Sequence, residues 1–209
     1  TLGVDAHGLP SLVLFDLDGL PRLTAGIEPG GTAAIRLQCG GGAAGVEASA
    51  SKDGVTRITL RDAADVARAE LAIPEDGTCR LVLRDRAGKE RVTLETGEDG
   101  EAGMQVYGAE DDLRAELVTE LDGETSLMLF GGDGEPRISL LVADGDSTVL
   151  ALDDPSAKHA LLLGATQDGD RKLVITDVAG NARVFVGIEA GEEPAIELLD
   201  GEGGDEEEG

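Results

Sequence analysis

Acidic side chains beside Asp-Gly turns are the residues of this chain whose types and spacing could support chemistry. Six of them form three pairs whose members are separated by one intervening residue, and their oxygens are the hard ligands that calcium prefers. These candidate metal ligands are Asp16 and Asp18, Asp144 and Asp146, and Asp168 and Asp170. The sequence around them matches neither an EF-hand loop nor the nonapeptide of calcium-binding β-rolls. We regard loose condensation of cations on an acidic surface as the simpler interpretation, and bound Ca²⁺ as the alternative.

A row of arginines is the second feature with chemical potential. Its members lie on one 23-residue grid: Arg22, Arg68, Arg91, Arg114, Arg137 and Arg183. In some repeats an aspartate lies six residues earlier, as in Asp85 with Arg91 and Asp177 with Arg183. The row could bind anions, or its ion pairs could brace turns. The net charge of −26 opposes anion binding, so we favour bracing.

Nucleophile–base pairs are not evident in the sequence. The two histidines, His7 and His159, fall on different grid positions, and Cys39 and Cys79 are 40 residues apart. That spacing argues against an intrachain disulfide and leaves free thiols or interchain links open. Because no repeat carries an insertion that could wall a cleft, we expect no enzyme activity and no cofactor beyond possible Ca²⁺.

The charge balance excludes several classes of partner. Lys plus Arg number 17 and Asp plus Glu 43, whereas nucleic-acid binders carry a basic surface. The chain also offers no polybasic face for anionic lipids and no run of about 18 apolar residues. We therefore expect neither nucleic-acid binding nor membrane insertion.

A 23-residue period organises the apolar residues into alternating pairs. The first pair of each repeat comprises Leu12 and Leu14, Ile35 and Leu37, Ile58 and Leu60, Leu81 and Leu83, Met104 and Val106, Leu127 and Leu129, Leu150 and Leu152, Leu173 and Ile175, and Ile196 and Leu198. A second pair follows each Arg position, as in Leu23 and Ala25 or Val92 and Leu94. Alternation of apolar and polar residues is typical of a strand with one buried face, so each repeat predicts two short strands.

The connections between these strands carry turn residues. One reads Asp-x-x-Gly, with Asp65 and Asp111 at the Gly position of two repeats. Glycine adopts positive φ freely and aspartate tolerates it, so we expect positive φ at both aspartates. The other connection is an Asp-Gly pair, such as Asp53-Gly54, which favours a tight reversal.

Equal-length repeats of two strands must bury their apolar faces against neighbours. The sequence predicts an all-β fold of about nine tandem 23-residue repeats, either a β-solenoid or an interwound hairpin-stack fibre. We expect residues 1–202 to form one array and residues 203–209 an acidic disordered tail. Residues 1–11 match the second half of a repeat and 196–203 the first half, so strands from the two ends could pair between chains or within one chain.

The best copies of the unit are Leu12-Val-Leu-Phe-Asp-Leu-Asp-Gly-Leu-Pro-Arg-Leu23 and Leu81-Val-Leu-Arg-Asp-Arg-Ala-Gly-Lys-Glu-Arg-Val92. They resemble bacterial and phage tandem β-repeat proteins with an LxLxDxxGxxRxxL unit. More distantly they look like the Tyr-Asp hairpin repeats of surface proteins, although the Tyr is missing from the turns here. The resemblance implies a cell-surface, fibre or filament role.

Outward-facing apolar residues gather in the C-terminal half and form a candidate self-association patch of Met128, Phe130, Leu162 and Phe185. We expect a non-enzymatic structural protein, the self-associating subunit of an extracellular filament or of a surface or virion fibre. Its partner would be further copies of itself, as a homotrimer or a head-to-tail polymer. The alternative is a Ca²⁺-dependent adhesion or ligand-binding module that uses the acidic turns.

Overall fold

The chain folds entirely into β-strands and turns over the residues that this computed structural model describes. Those residues are 1–4, 8–39, 45–97, 99–143, 147–154 and 160–200. They include no helix long and apolar enough to cross a membrane. The chain divides into two compact units, Thr1–Asp111 and Asp112–Gly209.

The first unit contains ten strands among its described residues. They are β1 (Leu2–Val4), β2 (Pro10–Phe15), β3 (Pro21–Ile27), β4 (Ala33–Gln38), β5 (Gly45–Ala50), β6 (Thr56–Arg61), β7 (Ala67–Ile73), β8 (Cys79–Arg84), β9 (Glu90–Thr96) and β10 (Ala102–Tyr107). The second unit contains eight described strands. They are β11 (Leu113–Thr119), β12 (Thr125–Phe130), β13 (Pro136–Val142), β14 (Thr148–Leu152), β15 (Leu161–Ala165), β16 (Arg171–Thr176), β17 (Ala182–Ile188) and β18 (Ala195–Leu198).

Within each unit, every strand pairs antiparallel with the strand that follows it. The prediction of an all-β repeat fold with two strands per repeat is therefore confirmed. Of the two architectures considered, the pairing is that of the hairpin arrangement. A solenoid would pair like positions of successive repeats, but Leu12 pairs with Ala25, and Ala25 then pairs with Ile35. Residues one period apart thus share a row and are separated by the intervening strand.

The turns form as their residues require. Asp65 and Asp111 both adopt φ of 63°, the left-handed conformation that the Gly position of this turn demands. Gly19 and Gly88 occupy the same turn position with φ of 78° and 82°. The prediction of positive φ at the two aspartates is confirmed. Several of these hairpins also carry a register shift beside the turn, for example between Leu83 and Arg84.

The apolar stripe is not buried, and this part of the prediction is wrong. The buried residues of the described chain are instead Ala34, Thr59, Val82, Thr93 and Ala151, which lie on the opposite face of the strands. The physical reason is the hairpin topology. Successive strands of a meander lie side by side in one layer, so the side chains of one face point the same way, and only a second layer could cover them.

Candidate functional site

Two continuous cross-strand rows make up the apolar face of the first unit, here called the stripe face. The first row runs from β2 to β10 through Leu12, Ala25, Ile35, Ala48, Ile58, Leu71, Leu81, Leu94 and Met104. The second row runs through Leu14, Leu23, Leu37, Val46, Leu60, Ala69, Leu83, Val92 and Val106. The antiparallel register thus collects on one surface the apolar positions that the sequence repeats.

The stripe face of the first unit and the corresponding apolar face of the second unit are both open to solvent. In the first unit, eleven of its large apolar side chains are at least 36% exposed: Leu12, Leu14, Ile35, Leu37, Val46, Ile58, Leu60, Leu71, Leu83, Leu94 and Met104. The second unit shows the same pattern, with Leu163 at 50% and Leu140 at 43%. Scattered exposed leucines are ordinary in soluble proteins, but a continuous exposed apolar surface of this extent marks an interaction site.

The opposite face of the first unit carries a network of ion pairs across strands β6 to β9. Glu70 lies between two arginines, with Oε1 3.4 Å from Nε of Arg57 and Oε2 3.6 Å from Nη1 of Arg84. Arg84 reaches Glu90 at 3.1 Å, and Glu90 in turn reaches Arg80 at 3.0 Å. Alternating signs remove the repulsion that stacked arginines would otherwise suffer.

This network covers the backbone layer beneath it. Thr59 and Val82 both pair with Glu70, and Val82 also pairs with Thr93. These three small side chains are only 3–4% exposed, although they lie on the polar face. Long Arg and Glu stems bury small neighbours while their charged ends stay in water. On β6 to β9 the small side chains of the polar face are therefore buried, whereas the stripe face stays open.

The second unit differs on this opposite face, because five of the eight residues in its central row are apolar. The row runs through Glu116, Met128, Ser139, Ala151, Leu162, Val174, Phe185 and Glu197. The structure thus brings three of the candidate self-association residues, Met128, Leu162 and Phe185, into one row, and Phe130 lies two residues beyond Met128 on β12. All four are partly exposed rather than fully exposed. They stay a predicted contact surface.

Two of the candidate calcium ligands, Asp16 and Asp170, accept backbone N–H groups. Oδ1 of Asp16 accepts the backbone N–H groups of Asp18 and Leu20 at 3.0 and 2.9 Å, and its Oδ2 faces Arg22 at 3.7 Å. Oδ1 of Asp170 accepts the N–H of Ala190 at 2.8 Å.

Other candidate side chains add little to a metal site. Asp18 and Asp168 are exposed on the surface. Asp144 and Asp146 lie outside the described residues, as do His7 and His159. In the described ranges, no group of three or more His, Cys, Asp or Glu could hold a metal ion. Cys39 and Cys79 are free thiols.

Arginines of the 23-residue row form ion pairs with turn aspartates, as the bracing interpretation expects. Arg183 places Nε 2.7 Å from Oδ2 of Asp177, whose Oδ1 accepts the N–H groups of Ala179 and Asn181. Arg91 and Arg68 repeat the arrangement with their own turn aspartates.

Hydrogen bonds to these carboxylates lower their pKa values. The backbone N–H of Asn181 makes the largest contribution at Asp177, and with Arg183 it brings the pKa to about 2, although partial desolvation opposes the shift. The Arg91 guanidinium is the main cause of the lowered pKa of Asp85. At Asp62 desolvation is the largest influence and raises the pKa, but the N–H groups of Ala64 and Val66 and the Arg68 guanidinium together lower it below its usual value. The aspartates are therefore held ionised within the turns.

Sequence reasoning did not find the ion-pair network or the open stripe face. A signal for the network was present, because Arg57, Glu70 and Arg84 have the parity of the polar face on consecutive strands. Recognising the network required the register that pairs those strands. The repeat period alone does not give that register, because it fits both a solenoid and a hairpin arrangement.

No protein-family model and no curated protein matches the chain. Among solved structures, some likeness is found to one described as "Crystal Structure of TcdB2-TccC3-Cdc42". The match has 12% identity and a TM-score of 0.23, and it covers 89% of this chain but 12% of the other.

Proposed function

We propose that this chain is a non-enzymatic structural protein that works by self-association, as the subunit of an extracellular filament or of a surface or virion fibre. In this proposal the repeats supply a regular scaffold, and other copies cover its apolar surfaces. The partner is the chain itself, as a homotrimer or a head-to-tail polymer. The acidic surface, with a net charge of −26, keeps finished assemblies apart in solution.

The observation that carries the proposal is the open stripe face. At about 70 Å² for each of the eleven exposed side chains of the first unit, the uncovered apolar surface is on the order of 800 Å². Monomeric soluble proteins rarely leave apolar patches larger than a few hundred Å² exposed. An area on the order of 800 Å² is what one partner contributes to a stable interface. Association therefore accounts for a surface that a solitary chain would bury.

The regular connections support a structural role over a catalytic one. Turns such as 16–20 and 85–89 close by backbone hydrogen bonds between their ends, and each holds its aspartate in a structural bracket. A catalytic site needs reactive side chains that are not already engaged in turn hydrogen bonds and that lie together in a cleft. The calcium-dependent alternative gains no specific support from the described turns, because the carboxylates of Asp16 and Asp170 already accept backbone N–H groups.

Light scattering coupled to size-exclusion chromatography tests the proposal on the full chain. The expected result is a mass that is a multiple of 21.4 kDa and that rises with concentration, with regular assemblies visible by negative-stain electron microscopy. Adding millimolar Ca²⁺ to the same samples tests the alternative. A strict monomer over the whole concentration range would overturn the proposal.

A further inference from the structure

We infer that the part of the stripe face formed by β2 to β6 docks against the same surface of a second copy, with large side chains of one chain entering gaps beside small side chains of the other. This inference rests on the proposed function, and it names the surface and the mode of contact. The occupant is a second copy of this chain.

Alternation of size along the first cross-strand row carries the inference. From β2 to β6 the row reads Leu12, Ala25, Ile35, Ala48 and Ile58, so large and small residues alternate at each strand. Beyond β6 the same row continues with large residues. Facing sheets pack through interdigitated side chains, and alternation of large and small residues gives each sheet both knobs and holes. A surface that carries both is complementary to itself.

The holes are visible as a trough. A concave space of about 560 Å³ lies on this part of the sheet, with Ala25, Ala48 and Gly26 among its lining residues. Ile35, at 51% exposed, stands between the two alanines. Adjacent strands lie about 4.8 Å apart, so the two holes are separated by about 10 Å and flank one knob. A second copy that faces this surface and is shifted by one strand would place its Ile35 side chain in the hole at Ala25 or Ala48.

Charge also favours a second copy at this place. The stripe positions of β2 to β6 hold Leu, Ile, Val, Ala, Pro and Thr, although the chain as a whole carries 43 acidic residues. Two copies of this acidic chain repel each other, and an uncharged region lets their surfaces approach with little of that repulsion. Such a contact is isologous and joins chains in pairs, in addition to any head-to-tail contact between them.

Filling the holes tests the inference against general hydrophobic attraction. Ala48→Leu and Ala25→Leu each add apolar surface to the trough, and Ala102→Leu adds the same group to the stripe face outside it as a matched control. Sedimentation velocity over a range of concentrations gives the dissociation constant of the full chain and each variant. Circular dichroism and thermal melting check that each variant is folded.

If knobs enter holes, both hole-filling variants raise the dissociation constant by about tenfold or more, and the control leaves it unchanged or lowers it. Ile35→Ala, which removes the knob, weakens association as well. If the filled variants associate as tightly as the wild type or more tightly, the inference is wrong while the proposed function stands. If the wild type does not associate at all, both fail.

Discussion

Nη2 of Arg91 lies 2.5 Å from Oδ2 of Asp85, so the first residue of β9's neighbouring turn is tied to an arginine on β9. The other oxygen of Asp85 accepts the backbone N–H groups of Ala87 and Lys89 at 2.8 and 3.1 Å. Arg91 also donates from Nη1 to the carbonyl oxygen of Gly108, in the following turn of this edge. One carboxylate and one guanidinium thereby connect two turns that are a full repeat apart in sequence.

The first prediction concerns this bracket. Asp85→Asn removes the charge that attracts Arg91 and weakens the hydrogen bonds to two backbone N–H groups, so we expect the melting temperature to fall by several degrees. Asp122→Asn is the matched control, because Asp122 also accepts a backbone N–H in a turn, that of Glu124. Differential scanning calorimetry at pH 7 checks the difference. Equal effects of the two substitutions would contradict the bracket.

The second prediction concerns pH and Asp177. Its pKa falls from 3.8 to about 2 on folding, so the carboxylate contributes stability that is fully present above the unfolded value. This contribution is lost as the pH falls from about 4 through about 2. We expect the stability difference between the wild type and Asp177→Asn to be constant from pH 7 to 5 and to shrink below pH 4. Urea unfolding at each pH measures it, and a difference that stays constant down to pH 2 would contradict it.

The local structure could be predicted from the sequence because local rules decide it. Alternating apolar residues placed the strands, and the turn chemistry of Asp65 and Asp111 predicted their positive φ. The burial of the stripe could not be predicted, because Leu14 and Ile35 have the same alternation whether a second layer covers them or not. Predicting the ion pairs of Glu70 would have required the register between β6, β7 and β8. The spacing of the repeats does not give that register, because it fits both a solenoid and a hairpin arrangement.

The third prediction uses the backbone at Asp65. A β-branched side chain at φ of 63° crowds the adjacent carbonyl, so Asp65→Val should lower the free energy of unfolding by about 1–2 kcal/mol. Asp65→Gly fits the same backbone and should change it by less than about 1 kcal/mol. Ala64→Val, at the preceding position of the turn, is the control. Urea titration checks all three, and a tolerated Asp65→Val would contradict the assignment of strain to this position.

The fourth prediction concerns the apolar row of the second unit. If Met128 and Leu162 contribute to self-association, the double substitution Met128→Ser and Leu162→Ser should raise the dissociation constant several-fold, because both side chains lose apolar contact area. Ser139→Ala is the control, since Ser139 lies in the same row and the change is small. Sedimentation velocity measures the constants. An unchanged constant in a folded double variant would remove this surface from the association.

The last prediction separates the two ion pairs of Glu70. The side chain of Arg84 is 18% exposed and that of Arg57 is 50% exposed, so solvent screens the Arg84 pair less. Double-mutant cycles with Glu70→Gln, Arg84→Met and Arg57→Met should give a coupling free energy of about 0.5–1 kcal/mol for Arg84 and a smaller one for Arg57. In 1 M NaCl the Arg57 coupling should vanish first, because exposed charges are screened most strongly. Equal couplings, or couplings insensitive to salt, would contradict this ranking by solvent exposure. Couplings near zero for both arginines would mean that the arginine stems stabilise Thr59 and Val82 by packing alone.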